Sequence, residues 1–363
     1  MAIFTDIFED VTKYATKIPT NEYLESGKYP IIDQGQNYIA GYTNSINGLF
    51  TDVPAIIFGD HTRVIKYVDH PCFLGADGVK LLKSHKVDNH KYLYYALLNV
   101  NIPNTGYNRH FKWLKEVNVP IPNAKTQENI VCVLDKVTTL ISLRRKQLEK
   151  LDELVKSRFI EMFGDPATNP MRWTESTIGA ECYYIKDGPH KSLTDIGKEN
   201  GGHPFISVRN IVNGFIDFST AKYISDDDFY EAIKKCHPEK GDMLYSKGGT
   251  TGIAKLIDID ETFANWVHVA VLKFNKDRIN GIFFENMLNS SYCFNQSQKL
   301  TKGIANRDLV LSAMSQIKII CPPLDLQNQF AEFVKQTDKS KVAVQISITK
   351  CHYLTKKGVN THA

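Results

Sequence analysis

Two stretches of this chain decide its fold, because they are versions of a single pattern. Residues 119–137 read VPIPNAKTQENIVCVLDKV, and residues 319–337 read IICPPLDLQNQFAEFVKQT. They align without a gap at an offset of 200 residues, and their apolar positions stay in phase although identities are few. Self-similarity of this kind is typical of an internally repeated protein. The sequence therefore predicts two related halves, each a globular part followed by a helical segment.

The regions before these stretches correspond as well. Residues 27–32 (GKYPII) resemble residues 201–206 (GGHPFI), and residues 54–59 (PAIIFG) resemble residues 241–246 (GDMLYS). The offset grows from 174 residues at the first pair to 200 at the helical segments. The globular parts therefore carry insertions, and the helical segments do not.

Both helical segments have the apolar spacing of three and four residues that is typical of a coiled coil. At two positions of the apolar pattern, one helical segment has a basic residue where the other has an apolar one. Arg144 aligns with Val344, and Lys341 aligns with Ile141. This pattern predicts that the helices pair. They should run antiparallel, because the second globular part begins where the first helix ends. The predicted seam consists of Ile130, Leu134, Val137, Ile141, Leu148, Leu151, Phe330, Val334, Val344, Ile348, Cys351 and Leu354.

The globular parts contain short apolar runs bounded by Gly, Asn and Asp, which are typical of strands. We predict strands at residues 30–32, 55–58, 79–82, 267–272 and 317–320, and short helices at 91–98 and 282–287. The predicted fold class is α+β: two globular domains joined by two long antiparallel coiled-coil helices, with an internal pseudo-two-fold repeat. The predicted boundaries are 1–122 for the first domain, 123–163 for its spacer helix, 164–322 for the second domain, 323–358 for its helix and 359–363 for a tail.

Composition excludes several classes of protein. The 363 residues are 42% hydrophobic with a formal net charge of +4, which fits a globular protein and permits an anionic partner. No run is long and apolar enough to predict a membrane span, and the first residues lack the basic start of a secretory signal. We therefore predict a cytoplasmic protein without a membrane partner. The seven cysteines are scattered singly, which argues against a disulfide scaffold or a zinc ribbon.

A search for catalytic patterns finds none that is specific. Residues 248–252 (GGTTG) are not followed by the Gly-Lys-Ser/Thr of a phosphate-binding loop. The Asn-Pro-Pro-aromatic signature of adenine methyltransferases is absent, and residues 321–324 (CPPL) are its nearest echo. The histidines lack zinc-protease spacing. The sequence predicts neither a catalytic site nor a metal site.

Polar and basic loops recur at matching places in the two globular parts. They are residues 59–63, 106–110, 207–210, 246–251 and 302–307. Their side chains are of the types that contact base edges and phosphates in DNA. Two related domains on a rod of about 50 Å would suit two half-sites on one duplex, roughly one helical turn apart. The candidate DNA-binding residues are His61, Arg63, Asn108, Arg109, His110, Arg209, Asn210, Lys247, Thr250, Lys302, Asn306 and Arg307.

Three other stretches of the chain resemble segments of a known protein family. Residues 148–166 (LEKLDELVKSRFIEMFGDP) are similar to the central conserved region of the DNA-specificity (S) subunit of Type I restriction–modification systems, the HsdS family. Residues 204–211 (PFISVRNI) and 241–247 (GDMLYSK) resemble landmarks of that family's second domain. The resemblance covers essentially the whole chain.

The resemblance implies a non-catalytic subunit for phage defence that binds double-stranded DNA. Each globular domain would be a target-recognition domain that reads one half of a bipartite target, and the chain would direct the other subunits to that target. Two methyltransferase (M) subunits would carry S-adenosylmethionine, and restriction (R) subunits would use ATP and Mg²⁺, so this chain itself would bind no cofactor. The resemblance does not supply the base-reading residues, because target domains in this family are highly diverse.

Three other interpretations remain open at the level of sequence. The chain could be the specificity module of a related methyltransferase or nuclease system that is not Type I. It could be a protein-binding scaffold without affinity for DNA, whose helices set the spacing of its partners. A stand-alone nuclease or methyltransferase would need a catalytic site, which the sequence does not reveal.

Overall fold

The computed structural model describes residues 1–75, 77–85, 89–303 and 307–360, and the side chains up to residue 355. The chain divides into two compact units. The first comprises Met1–Gln147 and the C-terminal segment that starts at Val344, and the second comprises Leu148–Ala343. We call residues 1–122 the first domain and residues 164–322 the second domain. Each unit therefore contains one domain and a part of each of two long helices.

The first domain is built from short strands connected by loops and short helices. Its elements are β1 (Ala2–Ile3), α1 (Phe4–Ile7), β2 (Phe8–Asp10), β3 (Tyr29–Ile32), β4 (Gly41–Thr43), β5 (Ala55–Gly59), β6 (Ile65–Val68), β7 (Phe73–Leu74), β8 (Val79–Ser84), α2 (His90–Leu98), α3 (Phe111–Leu114) and β9 (Asn118–Val119). The long helix α4 (Ala124–Phe163) follows. It begins one residue after the predicted start of the first spacer helix, at 123.

The second domain repeats this order with additions. Its elements are β10 (Thr174–Thr177), α5 (Ile178–Glu181), β11 (Cys182–Asp187), β12 (His203–Ile206), β13 (Lys222–Ile224), α6 (Asp226–Lys235), β14 (Met243–Ser246), β15 (Ala254–Leu256), β16 (Ala264–Asn265), β17 (Val269–Phe274), α7 (Gly281–Leu288), α8 (Ser291–Leu300), α9 (Leu311–Met314) and β18 (Lys318–Cys321). The second long helix, α10 (Leu324–Asn360), continues two residues beyond Gly358, where the sequence predicted its end.

The sheets of the two domains have the same topology. A four-stranded sheet of order β2-β8-β5-β6 in the first domain corresponds to β11-β17-β14-β15 in the second. A three-stranded sheet of order β4-β3-β7 corresponds to β13-β12-β16, and the pairs β3/β7 and β12/β16 are both parallel. A two-stranded sheet joins the start of each domain to the strand before its long helix, as β1/β9 and β10/β18. The predicted internal repeat and α+β class are confirmed at the level of topology.

The central strands are buried on both faces. In β5, Ile56 and Phe58 pack with α2, while Ala55 and Ile57 contribute to a second cluster on the other face. Alternation in β14 is equivalent, since Leu244 belongs to a different cluster from Met243 and Tyr245. Strands buried on both faces read as continuous apolar runs, which is why the sequence predicts them well.

A buried glutamine fixes the joint between each domain and its long helix. Gln127 Nε2 donates to the Pro122 carbonyl (2.9 Å), and Gln127 Oε1 accepts from the Asn89 backbone N–H (3.2 Å). Gln327, 200 residues later, donates to the Pro322 carbonyl (2.8 Å) and accepts from the Asn280 N–H (2.9 Å). Both glutamines are buried. The repeat therefore extends to single hydrogen bonds.

The two long helices run antiparallel in the second unit. Lys341 Nζ lies 2.8 Å from Asp152 Oδ1, and the rings of Phe159 and Phe330 are 5.5 Å apart. As residue numbers rise along α4, the residues of α10 that contact it have falling numbers, which is the pattern of an antiparallel pair. The Asp152 carboxylate also explains how Lys341 is accommodated at a seam position, because the ammonium group is paired there.

Burial of the helix residues follows a 4–3 spacing and corrects the predicted seam at one position. Ile130, Leu134, Ile141, Phe330, Val334, Val344, Ile348 and Cys351 are buried, and Val137, Leu148 and Leu151 are half-buried. The sequence predicts Leu354 in the seam, but this side chain is 53% exposed. The spacing of four and three residues that gives Val344, Ile348 and Cys351 gives Thr355 as the next seam position. Leu354 therefore lies outside the seam. On α4, Val155 is the buried residue where the spacing continues past Leu151.

Candidate nucleic-acid interface

Each domain brings two polar loops together at the same place in its fold. The first is the hairpin loop between β5 and β6, or between β14 and β15. The second precedes the short helix α3, or α9. In the first domain the His110 N–H donates to the Asp60 carbonyl (2.8 Å). In the second domain the Leu309 N–H donates to the Lys247 carbonyl (2.7 Å). We call these two joined loops the loop pair of each domain.

Most of the first domain's candidate residues lie in its loop pair. His61 stacks on Tyr107 with ring centroids 4.6 Å apart and an interplanar angle of 7°. Arg63 has a positive φ of 60°, and its guanidinium donates to the Ile102 carbonyl (3.1 Å), which ties the hairpin loop to the second loop. Asn108 and Arg109 are exposed next to Tyr107. The first loop pair therefore presents cationic, amide and aromatic groups on one surface.

His110 is not available for direct contact with DNA in this conformation. It is 0% exposed, and its Nδ1 lies 3.0 Å from the Asp60 carbonyl oxygen. Asp60 is buried as well, and its Oδ1 accepts the N–H of Phe111 at 2.7 Å. The sequence shows only that His110 is polar. It does not show that His110 is buried and bonded to the Asp60 carbonyl, which joins the two loops. We therefore withdraw it as a DNA-contacting residue.

The second loop pair contains Lys247, Thr250, Lys302 and Arg307, while Asn306 lies outside the described residues. Thr250 and Lys302 are exposed, and the exposed Arg307 side chain donates to Gln298 Oε1. Lys247 is only 5% exposed. Its Nζ pairs with Asp308 (2.9 Å) and Asp187 (3.4 Å), so its charge is neutralised within the domain. Lys247 therefore holds the loops together rather than presenting a free charge.

Arg209 and Asn210 lie outside the loop pair, in the turn that follows β12. Arg209 is exposed, and its Nη2 donates to the Thr220 carbonyl (2.6 Å). Asn210 is 1% exposed, with Oδ1 accepting the Ser207 N–H (2.8 Å) and Nδ2 donating to the Asp217 carbonyl (2.9 Å). Asn210 therefore caps a turn, and we withdraw it as a DNA-contacting residue. Arg209 remains a candidate.

Two aromatic residues of the second domain were missed by the sequence reasoning. Trp266 and His268 contact each other with ring centroids 4.6 Å apart, and the His268 carbonyl accepts the Lys247 N–H (2.8 Å). The sequence predicts a strand over 267–272, but β17 begins at Val269, so His268 belongs to the turn before it. The apolar alternation of the strand hid this turn. Trp266 and His268 connect the loop pair with the turn that carries Arg209.

Several cysteines are at least partly buried, and this burial affects the pKa of their thiols. Burial raises the pKa of the Cys72, Cys182, Cys293 and Cys321 thiols to about 12, which keeps them protonated at neutral pH. Within the described part of the chain, no three His, Cys, Asp or Glu side chains are grouped as a metal ion would require. None of the described helices combines the length and hydrophobicity of a membrane span.

Comparison with known proteins identifies the family. The model of the type I restriction modification DNA specificity domain matches residues 4–153 and again residues 181–349. A crystal structure of a type I restriction–modification S subunit from M. genitalium covers 98% of this chain and 94% of its own, at 16% identity and a TM-score of 0.56. A chain from a structural study of type I restriction–modification assembly matches with a TM-score of 0.53 and 13% identity, covering 99% of this chain and 95% of its own. At these low sequence identities, both matches show that the chain shares the fold of these structures.

Curated relatives agree with this family. The specificity subunit of a type I restriction enzyme of Escherichia coli is 27% identical over 255 residues, which are 64% of this chain and 59% of the relative. A type I specificity subunit of Methanocaldococcus jannaschii is 24% identical over 295 residues, or 73% of this chain and 69% of the relative. The chain thus spans about three fifths of the first relative and about two thirds of the second. With the family model matching each half of it, the chain belongs to the type I restriction–modification DNA specificity family.

Proposed function

We propose that this chain is the non-catalytic subunit that recognises a bipartite sequence in double-stranded DNA, one half-site per domain. The loop pair carries this proposal, because it occurs at the same place in both domains and differs in its side chains. The first loop pair offers His61, Asn108 and Arg109, and the second offers Thr250 and Arg307. Equivalent positions with different chemistry would let two copies of one fold read two different half-sites.

The side chains at these positions suit DNA. Arg and Lys contact guanine edges or phosphates, Asn contacts adenine, and Thr contacts either bases or backbone. The exposed cations Arg109, Arg209, Lys302 and Arg307 lie on or beside the loop pairs. A chain with a small net charge can bind DNA if such groups are concentrated locally. We therefore expect salt-dependent binding.

We further propose that two methyltransferase subunits bind this chain and carry S-adenosylmethionine, and that ATP- and Mg²⁺-dependent restriction subunits join them. An apolar face of α4 supports a protein partner. Val133, Leu140 and Leu143 are exposed, and their spacing of seven and three residues places them along one side of the helix. Exposed apolar side chains that share a face mark interaction surfaces more often than scattered ones do.

A methylation map tests the proposal. Adenine methylation is mapped across the genome in cells that carry this chain and the methyltransferase encoded beside it, and again after deletion of this chain. We expect a bipartite methylated motif that disappears on deletion and returns when the chain is supplied from a plasmid. Methylation that is unaffected by deletion of an expressed chain would contradict the proposal and favour the scaffold interpretation.

Partner genes and salt dependence separate the remaining alternatives. A motif that depends on this chain in a system without restriction subunits would place it in a related, methylation-only system. Purified complex should bind a duplex with the mapped motif more weakly as salt rises, because binding releases counterions from the phosphates. Salt-insensitive association with partner proteins and no DNA binding would identify a scaffold.

A further inference from the structure

The second domain contains a small pocket beside its loop pair. The cavity is ≈ 240 Å³ and lies between β12, β13 and the turn that carries Trp266. Its apolar lining comes from Leu193, Phe205 and Trp266. Ligand sites for drug-sized molecules are about 300–1,000 Å³, so this pocket is sized for a single ring system.

The polar groups around this pocket are cations and hydroxyls. Arg209, Lys222, Ser192 and Ser207 complete the lining. Arg209 is anchored by its hydrogen bond to the Thr220 carbonyl (2.6 Å). Asp195 is the acidic neighbour of both cations, and hydrogen bonds from the Tyr223 and Gly197 N–H groups lower the pKa of its carboxyl. One net positive charge therefore remains at the pocket.

The pocket is connected to the loop pair through an aromatic contact. Trp266 packs against His268, whose carbonyl accepts the Lys247 N–H at the base of the hairpin loop (2.8 Å). Gly248 fits closely there, because a Cβ at this residue would lie 2.5 Å from the His268 ring. A nucleic acid on the loop pair would therefore lie close to the pocket.

The corresponding position in the first domain is filled. The Trp266 N–H donates to the Ile206 carbonyl, and the Gly75 N–H donates to the Ile32 carbonyl, so Gly75 is the counterpart of Trp266. A Cβ on Gly75 would lie 2.4 Å from both Asp33 Cβ and the Tyr23 hydroxyl. The first domain therefore has no room for a ring at this position.

We propose that this pocket of the second domain binds one nucleotide, with the base against Trp266 and Phe205 and the phosphate near Arg209 and Lys222. Proteins that read an extruded base enclose it between aromatic or apolar side chains and hydrogen-bond its edge. Ser192 supplies a hydroxyl for that edge, and the Ser207 hydroxyl, which donates to Asn210 Oδ1 (3.0 Å), can accept a hydrogen bond there. The nucleotide comes from the bound duplex, which rests on the proposed function, or it is a free nucleotide, and the experiment distinguishes these sources.

The first arm uses NMR of the full chain and free nucleotides. The chain has three tryptophans, Trp113, Trp173 and Trp266, and the Trp266→Phe variant identifies the indole N–H signal of Trp266. We expect at least one of the four deoxynucleoside 5′-monophosphates to shift this signal saturably, through the ring current of the stacked base. Deoxyribose 5-phosphate should not shift it. The Trp173 indole, which donates to the Phe163 carbonyl (2.9 Å), serves as the unaffected reference.

The second arm uses the complex with the methyltransferase and a duplex carrying the mapped motif. An abasic site is placed opposite each base of both half-sites in turn, excluding the methylated adenine. At one position we expect tighter binding, since an unpaired base costs less to extrude. Trp266→Ala should remove that gain, with a loss of about 5- to 150-fold as expected for one base–aromatic stack. Trp266→Phe should retain most of it.

The outcomes separate the sources and separate this inference from the proposed function. A Trp266-dependent gain at one DNA position identifies an extruded nucleotide. A nucleotide-dependent shift without any such gain identifies a free nucleotide. If neither arm responds, the proposal is overturned, while a methylated motif that depends on this chain would leave the proposed function standing. If no motif depends on the chain, the proposed function fails, and the NMR arm alone decides the pocket.

Discussion

Gln327 shows how much a single side chain contributes at the joint between a domain and its helix. It is fully buried and satisfies the carbonyls of Pro322 and Arg278 and the N–H of Asn280. Each buried backbone group left without a partner costs about 1–3 kcal/mol. We therefore expect Gln327→Ala to lower the free energy of unfolding by about 3 kcal/mol or more, as measured by denaturant unfolding of the full chain.

Gln329 provides the matched control for this measurement. It lies two residues further along the same helix and is exposed. We expect Gln329→Ala to change stability by less than about 0.5 kcal/mol, as for most surface substitutions. Equal effects of the two substitutions would mean that the hydrogen bonds of Gln327 do not stabilise the joint.

Arg109 is the residue at which base reading can be tested most directly in the first domain. It is exposed beside Tyr107, which is itself 87% exposed. If Arg109 contacts a base edge, Arg109→Ala should cost about 1–3 kcal/mol in binding and relax the first half-site. The measurement is the affinity of the complex for duplexes that differ at single positions of the mapped motif. Arg145→Ala, which removes the same charge from an exposed position on α4, should leave the sequence preference unchanged.

A uniform loss of affinity on every duplex would mean that Arg109 contacts a phosphate instead. Its residue type and loop position make Arg109 a candidate DNA-binding residue from the sequence, and its exposure in the structure is consistent with that role. The sequence could not separate Arg109 from its neighbour His110, because both look polar in a Gly- and Asn-rich loop. Only the fold shows that His110 points inward to the Asp60 carbonyl.

At the scale of elements, the long helices were the most predictable part of the chain. Their apolar spacing extends over many turns, so a one-residue error at an end leaves the assignment intact. The doubly buried strands were also predictable, as at Ala55–Gly59, because continuous apolar runs need no partner to be recognised. The helix α6 was missed although Ser225 caps it and three aspartates follow. It is an insertion of the second domain, so the repeat gave no counterpart to indicate it.

The exposed apolar face of α4 makes a prediction about partner binding. Leu140 and Leu143 are exposed on one side of the helix in the first unit. A carboxylate in a buried apolar interface is costly to desolvate. We expect the double variant Leu140→Glu/Leu143→Glu to lose association with the methyltransferase, measured by pull-down of the co-expressed subunits, and to lose methylation in cells. The free energy of unfolding should change little, because neither side chain belongs to the seam.

The variant Ser142→Glu controls for an added carboxylate on the same turn of the helix. Ser142 is exposed and lies about 160° around the helix axis from Leu140, away from the apolar face. We expect this variant to bind the methyltransferase normally. Loss of binding in both variants would assign the effect to charge, and normal binding in both would move the partner surface away from this face.

At the scale of the whole molecule, the continuity of α4 is the feature with the largest consequence for function. A single helix of 40 residues begins in the first unit and ends in the second. At about 1.5 Å per residue it is about 60 Å long. If each domain reads one half-site, the length of the helices should set the spacing between the half-sites.

Lengthening both helices by one heptad tests this directly. Seven residues are inserted after Gln147 in α4 and after Ala343 in α10, so that the 4–3 seam stays in phase and the antiparallel helices stay matched. The added rise is about 10.5 Å, or about 3 base pairs. We expect the methylated motif to keep both half-sites and to gain about 3 base pairs between them. The same seven residues inserted after Gly214, in an exposed turn of the second domain where a Cβ would meet nothing, should leave the spacing unchanged. An unchanged motif in the lengthened protein, with normal methylation, would show that the helices do not set the spacing, because the half-sites would then keep their separation while the helix between the domains grew.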